Sequence, residues 1–268
     1  MRTCTIRTCL IIAVAFASPA VVALLSPPPF VASQSPRILV YDNFVSAAEC
    51  ATLKNGGYGS KDVELAMAAV GSRIGALTSA PHFGEQSPNV LHIRSDDPPG
   101  RLFVLHEDTN GGMHFRFATA ICYFSDVPEE CGGATSFPLA DAADSDPVLA
   151  AACLLMDANI RHLKDAKTSM EMEAASLLRH ASDDCTILRS RGVKVQPAAG
   201  RLCLFFGRDA HGEVDARSWH RGDPIVSSPD EAAHKAMAVF FKEIPQGQFD
   251  SRASFEAAVA SVRSLSDQ

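Results

Sequence analysis

Two residues spaced two apart, His106 and Asp108, are the part of this chain best suited to chemistry. They follow the apolar stretch Leu102 to Leu105 and precede a Gly111-Gly112 turn. Side chains alternate between the faces of a strand, so both would point the same way. An imidazole and a carboxylate side by side supply two of the three ligands of the facial triad that holds non-haem Fe(II). The third would be a second histidine, remote in sequence and near in space. A His-x-Asp pair alone is more commonly a surface ion pair. Its place at the end of an apolar strand, where a sheet presents side chains to a barrel mouth, is what argues for a metal.

The elements that must position this pair can be read from the rest of the chain. At 268 residues, 47% hydrophobic and 21% charged, it is an ordinary folded protein with room for one large domain. A formal net charge of −7 argues against nucleic acid or an anionic membrane surface as the main partner. Arg2 and Arg7 precede a charge-free apolar run of 17 residues, Cys9 to Leu25, which reads as a secretory signal or signal-anchor. Beyond it six cysteines remain, none in a CxxC pair, so a zinc ribbon is not expected. Cys122 and Cys203 fall in apolar runs and read as buried thiols, while Cys153 and Cys185 are the pair expected to bridge.

Strand character is seen in Arg37 to Phe44, Asn89 to Arg94, Arg101 to Asp108, Phe115 to Asp126, Val193 to Phe206 with a turn at Pro197 to Gly200, and Ala236 to Ile244. Ser46 is placed to cap a short helix that Gly56-Gly57 stops, and a second helix fits Asp62 to Leu77. Residues 139–192 differ in character, rich in Ala, Asp, Leu and Met, with helical spacing over Pro147–Leu163 and Ala166–Ala181. Their His162 and His180 are expected to face solvent, and His92, His114 and His234 to be surface or satisfied histidines. The fold class is α+β with a mainly β core: a double-stranded β-helix, or jelly roll, with supporting N-terminal helices and a helical insertion. The expected organisation is residues 1–35 as signal or anchor plus linker, 36–246 as the working domain, and 247–268 as a helical tail.

From Arg37 to Ile244 the chain resembles the prolyl 4-hydroxylase catalytic-subunit family of 2-oxoglutarate- and Fe(II)-dependent dioxygenases. The resemblance rests on motifs in order: Arg73-Ile74 and Leu77-Thr78 with Pro81; Gly100 and Phe103 before His106-Glu107-Asp108; Arg116-Phe117-Ala118-Thr119 with Tyr123-Phe124; Gly132-Gly133-Ala134-Thr135-Ser136-Phe137-Pro138; Val195-Gln196-Pro197 with Gly200; and Asp215 to Ser218, Trp219, His220, Gly222, Pro224 and Val226. It implies that His220 completes the iron triad with His106 and Asp108, with His211 as its competitor. It implies that Lys235, 15 residues past His220, binds the far carboxylate of 2-oxoglutarate, with Thr119, Tyr123 and Thr135 lining the cosubstrate pocket. Arg116 and Phe103 would contact substrate.

The implied cofactors are Fe(II), the cosubstrate 2-oxoglutarate, O2 and L-ascorbate, and the implied reaction hydroxylates a proline-containing peptide while yielding succinate and CO2. Compartment follows from the N-terminal segment: the endoplasmic reticulum, lumenal or membrane-anchored, or secretion. Two departures stand out. The family's cosubstrate-binding Tyr falls here on Ile93 or Asp97, and Phe103 keeps a ring without a hydroxyl. Three other readings therefore stay open: the same chemistry on lysine or a small molecule, a catalytically silent binding module, and a zinc hydrolase on the same ligands.

Overall fold

The computed structural model describes residues 28–57, 59–78, 89–95, 97, 105–109, 116–160, 162–183 (side chains of 180–183 excepted), 191–209, 213–226 and 233–243. The targeting segment, Phe103, His114, Cys185, His211 and the expected C-terminal helix lie outside these residues. So does most of the Asp96–Gly100 turn. Among the described residues no helix is long and apolar enough to cross a membrane.

Among the described residues, nine strands form two antiparallel sheets. The larger has the order β1 (Phe30–Gln34), β2 (Arg37–Tyr41), β7 (Leu202–Phe206), β4 (Arg116–Tyr123), β9 (His234–Glu243), β3 (Leu91–Arg94). The smaller has the order β6 (Val193–Val195), β5 (Thr135–Phe137), β8 (Arg221–Gly222). Strands 6 and 7 are contiguous in sequence yet belong to different sheets, so the Pro197–Gly200 turn carries the chain from one sheet to the other rather than closing a hairpin. This is the mainly β jelly-roll arrangement with helices that the sequence suggests.

Three apolar cores separate four layers. Helices α1 (Ala47–Asn55) and α2 (Lys61–Thr78) cover the outer face of the large sheet through Leu53, Val70 and Ile74, which meet Leu39, Phe117 and Leu204. Between the sheets, Ile38, Ile121, Tyr123, Phe205 and Met237 meet Phe137, Val195 and Ile225. Behind the small sheet, Leu105 and Trp219 are buried among Leu149, Leu155, Leu163 and Leu178 of the insertion.

Local chemistry sets most boundaries. Ser46 caps α1 with a full capping box, its side chain accepting from the Glu49 N–H and Glu49 reaching back to the Ser46 backbone. Glu49 also takes a bidentate pair from Arg73, both contacts 2.9 Å, which ties α1 to α2. In the insertion, Asp146 and Pro147 open α3 (Pro147–Asp157) and Thr168 with Glu171 opens α4 (Ser169–Asp183). α3 stops well before the expected Leu163. Asn159 takes a left-handed conformation at φ 60°, and Ile160 N–H bonds to Leu155 O at 2.7 Å while Asn159 N–H bonds to Met156 O at 2.9 Å. That pairing is a Schellman stop.

Regular structure is already present before residue 36. Phe30–Gln34, expected as linker, is an edge strand paired with β2, and the Asp141 carboxylate accepts from the Gln34 and Ser35 N–H groups beyond it. The polar and proline-rich context had masked a short strand. The strand expected to run to Phe44 ends at Tyr41, where Asn43 turns left-handed at φ 59°. Cys50, Cys122, Cys131 and Cys203 are buried thiols, and Cys153 is exposed with its expected partner Cys185 outside the described residues.

Trp219 is fully buried and, among the described residues, its indole Nε1 has no hydrogen-bond partner, so it holds the insertion by packing. Trp219→Ala is expected to lose about 3–5 kcal/mol of stability in denaturant unfolding, and Trp219→Phe less than about 1.5 kcal/mol.

Candidate metal centre

His106, Asp108 and His220 come together, with one ligand atom of each within 4.8 Å of the others. Among residues 105–109, the strand expected to run to Asp108 is reduced to an isolated bridge at His106 followed by a bend at Asp108. The burial still alternates, with Leu105, Glu107 and Thr109 buried and His106 and Asp108 half-buried. His220 arrives by pairing. His106 N–H bonds to His220 O at 3.0 Å and His220 N–H to His106 O at 2.9 Å. Residues that exchange both bonds in an antiparallel ladder face each other with side chains on one face. The ring centroids stand 4.4 Å apart. His106 Nε2 is 3.6 Å from Asp108 Oδ1, and His220 Nε2 is 3.5 Å from Asp108 Oδ2.

These residues fit a divalent transition metal. His220 Nδ1 lies 3.0 Å from the Ser218 carbonyl, which can only accept, so Nδ1 carries the proton and the Nε2 lone pair faces Asp108. Burial lowers the His220 pKa to about 4, against the opposing pull of Asp108, and so keeps a neutral, ligating imidazole at neutral pH. Phe137 stacks on its ring at 5.4 Å and Phe205 meets it edge-on at 4.7 Å, which leaves one orientation. Two imidazole nitrogens and one carboxylate oxygen are the donor set of the facial triad.

The cluster opens on a cavity of about 300 Å³ between the sheets. Leu91, Ile93, Ile121, Met237, Val239 and Phe241 give it an apolar wall. Lys235 joins it from β9, only 2% exposed, with Nζ donating to Gly133 O at 2.8 Å. Gly132 and Gly133 both sit at positive φ, 71° and 72°, and a Cβ on Gly132 would stand 2.5 Å from Pro224 O. Gln196 Nε2 donates to Gly132 O at 2.8 Å and completes this clamp.

The other expected site residues fall in different roles. Thr119 lines the cavity but spends its hydroxyl on Asp108 Oδ2, at 2.9 Å. Tyr123 does not line it: the ring is buried beneath, its OH 2.7 Å from Thr135 Oγ1, and Thr135 is the residue that reaches the cavity. Arg116 pairs with Glu243 at 2.7 Å, stacks 3.9 Å over Phe241 and reaches Asp108 O at 3.4 Å, so it braces the rim. Phe103 and His211 lie outside the described residues. Of the two slots for the missing Tyr, Ile93 faces the cavity directly across from Lys235, while Asp97 accepts from the Arg94 N–H. His92 and His234 hydrogen-bond to each other at 3.0 Å, away from the cavity lining.

Two residues were not anticipated. Asp223 lines the cavity and is held by Ser136 at 2.7 Å and Arg221 at 3.1 Å. It follows Gly222, where β8 ends and alternation no longer predicts direction. His162, expected in solvent, is half-buried and bridges His106 from the side opposite His220. No periodicity marks residues 160–166, because the insertion's packing and not its own pattern brings them there.

No protein-family model matches the chain, and no curated protein does. Solved structures similar to it include a viral collagen prolyl hydroxylase of Paramecium Bursaria Chlorella virus-1 as its 2OG complex, at 17% identity and TM-score 0.41 over 78% of this chain and 96% of that one. A Pseudomonas putida prolyl-4-hydroxylase gives 15% identity and TM-score 0.43 over 84% and 98%. The epimerase SnoN, in complex with Fe3+, alpha ketoglutarate and nogalamycin RO, gives 16% and 0.39 over 84% and 85%. At these values no residue's role is taken from them.

Thr119→Val removes the hydroxyl that orients Asp108 without emptying its volume. It is expected to weaken divalent-metal binding about tenfold by calorimetry.

Proposed function

We propose that this protein is a 2-oxoglutarate- and Fe(II)-dependent dioxygenase that hydroxylates peptidyl proline. The observation that carries the reading is the His106–Asp108–His220 cluster opening on a cavity that also holds the buried cation Lys235. His106, Asp108 and His220 would hold the iron. When bound, Fe(II) and 2-oxoglutarate supply O2 activation coupled to oxidative decarboxylation to succinate and CO2. The protein's own part is to bind, orient and exclude water. His220, kept neutral by burial, offers Nε2. Thr119 turns Asp108 toward both imidazoles. A buried ammonium held by one carbonyl suits the far carboxylate of a dicarboxylic acid, and Lys235 offers it. The apolar wall around Ile93 and Phe241 suits an uncharged ring such as proline, with Arg116 at the rim for the peptide backbone.

A second reading keeps the chemistry and changes the substrate to a peptidyl lysine or a small molecule. Ile93 favours it, because it sets an alkyl group opposite Lys235 at one of the two positions where the resemblance implies a phenol. The basic and apolar N-terminus supports the secretory pathway as the compartment, which fractionation of the full chain would read.

The test is succinate formation from 2-oxoglutarate with Fe(II), with and without ascorbate, in the presence of proline-rich and lysine-containing peptides. Proline peptides should stimulate turnover and gain one oxygen by mass. His106→Ala should abolish turnover, and retained iron-dependent turnover in that variant would sink the assignment. Absence of any Fe(II) or 2-oxoglutarate binding would favour a silent binding module.

Lys235 also sets a pH dependence. Burial lowers its pKa to about 8, opposed by the nearby Asp223 carboxylate, so it is charged below that pH and neutral above. The affinity of the free protein for 2-oxoglutarate should therefore fall about tenfold per pH unit above about 8. Lys235→Met should lose about 2–5 kcal/mol of that affinity and flatten the pH dependence. Calorimetric titrations across that range read both.

A further inference from the structure

We infer that His162, contributed by the helical insertion, is a positioning residue for His106: it is the outermost rung of a stacked row that sets the orientation of the ligand imidazole. The row can be followed strand by strand. Phe137 on β5 lies across from Val193 on β6. On its other side Ser136 pairs with Arg221, so the register continued by one residue sets Phe137 against His220, and their rings stack at 5.4 Å. His220 pairs with His106, and His106 in turn bridges His162. Directly opposed residues in an antiparallel sheet share a face. The insertion thus adds the last rung to the small sheet, beside a ligand.

The geometry is that of a supporting contact. The His106 and His162 rings are nearly parallel, 22° apart, with centroids 6.3 Å apart, while the His106 and His220 rings are tilted by 50°. His106 is therefore bounded by an aromatic ring on each side, and its Nε2 is the atom turned toward Asp108. His220 has two phenylalanines and a carbonyl to fix it, and one aromatic neighbour of His106 comes from the insertion. His162 is itself held in place. The Schellman stop at Asn159 ends α3, and Ile160 and Leu163 on either side are buried in the insertion core, 7% and 4% exposed.

This inference rests on the metal-centre reading, and Co(II) alone, added to the metal-free full-length chain, separates the two. Affinity by calorimetry and the visible d–d absorption are measured for the parent protein, His162→Ala, His162→Phe and His106→Ala. His162→Ala is expected to bind Co(II) about tenfold more weakly with a shifted band, and His162→Phe, which keeps a flat ring, to stay near the parent in both. The metal-free melting temperature should be the same in both variants. Parent-like affinity and spectrum in His162→Ala would overturn the inference. So would equal losses in His162→Phe, or a drop in melting temperature with an unmoved spectrum, which would mark a merely structural role. If His106→Ala bound Co(II) as tightly as the parent, the metal-centre reading itself would fail.

Discussion

The reciprocal backbone bonds between His106 and His220 are the constraint on which the rest of the site depends. Two ligands separated by more than a hundred residues share one rung of a ladder, so their side chains must face the same way at fixed spacing. Asp108 lies in the bend just after that rung, where the Thr119 hydroxyl donates to its carboxylate at 2.9 Å. One non-local pairing therefore fixes two of the three donor atoms, and everything else serves to keep that rung in place.

That service comes from both faces of the small sheet. On the inner face Phe137 and Phe205 confine the His220 ring. On the outer face Leu105 and Trp219, each adjacent in sequence to a ligand, are buried in the insertion core. The short strands of this sheet could not hold position alone, because two or three residues bury little apolar area. The insertion supplies the missing layer. It is the back wall of the site as much as an ornament on the jelly roll.

Most of this was legible where a local rule sets the outcome. Ser46 with Glu49, Asp146 with Pro147 and the period-two placement of His106 and Asp108 all read directly from residue types. Lys235, Met237, Val239 and Phe241 line the cavity with the same period, so the cavity wall was also written in β9. What escaped depended on other rules. Asn159 could take a left-handed turn and stop α3 early, yet nothing in its neighbours demanded it. Tyr123 shares a face with Thr119 and Ile121, but depth is set by the opposing sheet, and its hydroxyl is spent on Thr135. His162 escaped because a bridge between an insertion and a ligand strand has no local signature. That Ile93 lies opposite Lys235 was visible only in the register with β9.

Charge in the cavity narrows what can enter it. Asp108 carries one negative charge between two imidazoles, of which His220 is kept neutral by burial. A divalent cation held there would leave a net charge of about +1, taking both imidazoles as neutral ligands. Lys235 adds a second positive charge inside the same cavity, already weakened as a cation by desolvation. Asp223 lines the same cavity and offsets part of that charge, opposing the effect of burial on Lys235, while its own oxygens accept from Ser136 and Arg221, with Lys194 3.6 Å away. Two separated positive centres in a largely apolar cavity favour a ligand that brings an anionic group to each. A monoanion would satisfy one and leave the other buried. A dicarboxylate with an uncharged linker satisfies both and presents methylene groups to Ile93, Met237 and Ile225, which line the cavity. With a divalent metal in place, this charge pattern would favour a dicarboxylate over a monoanion.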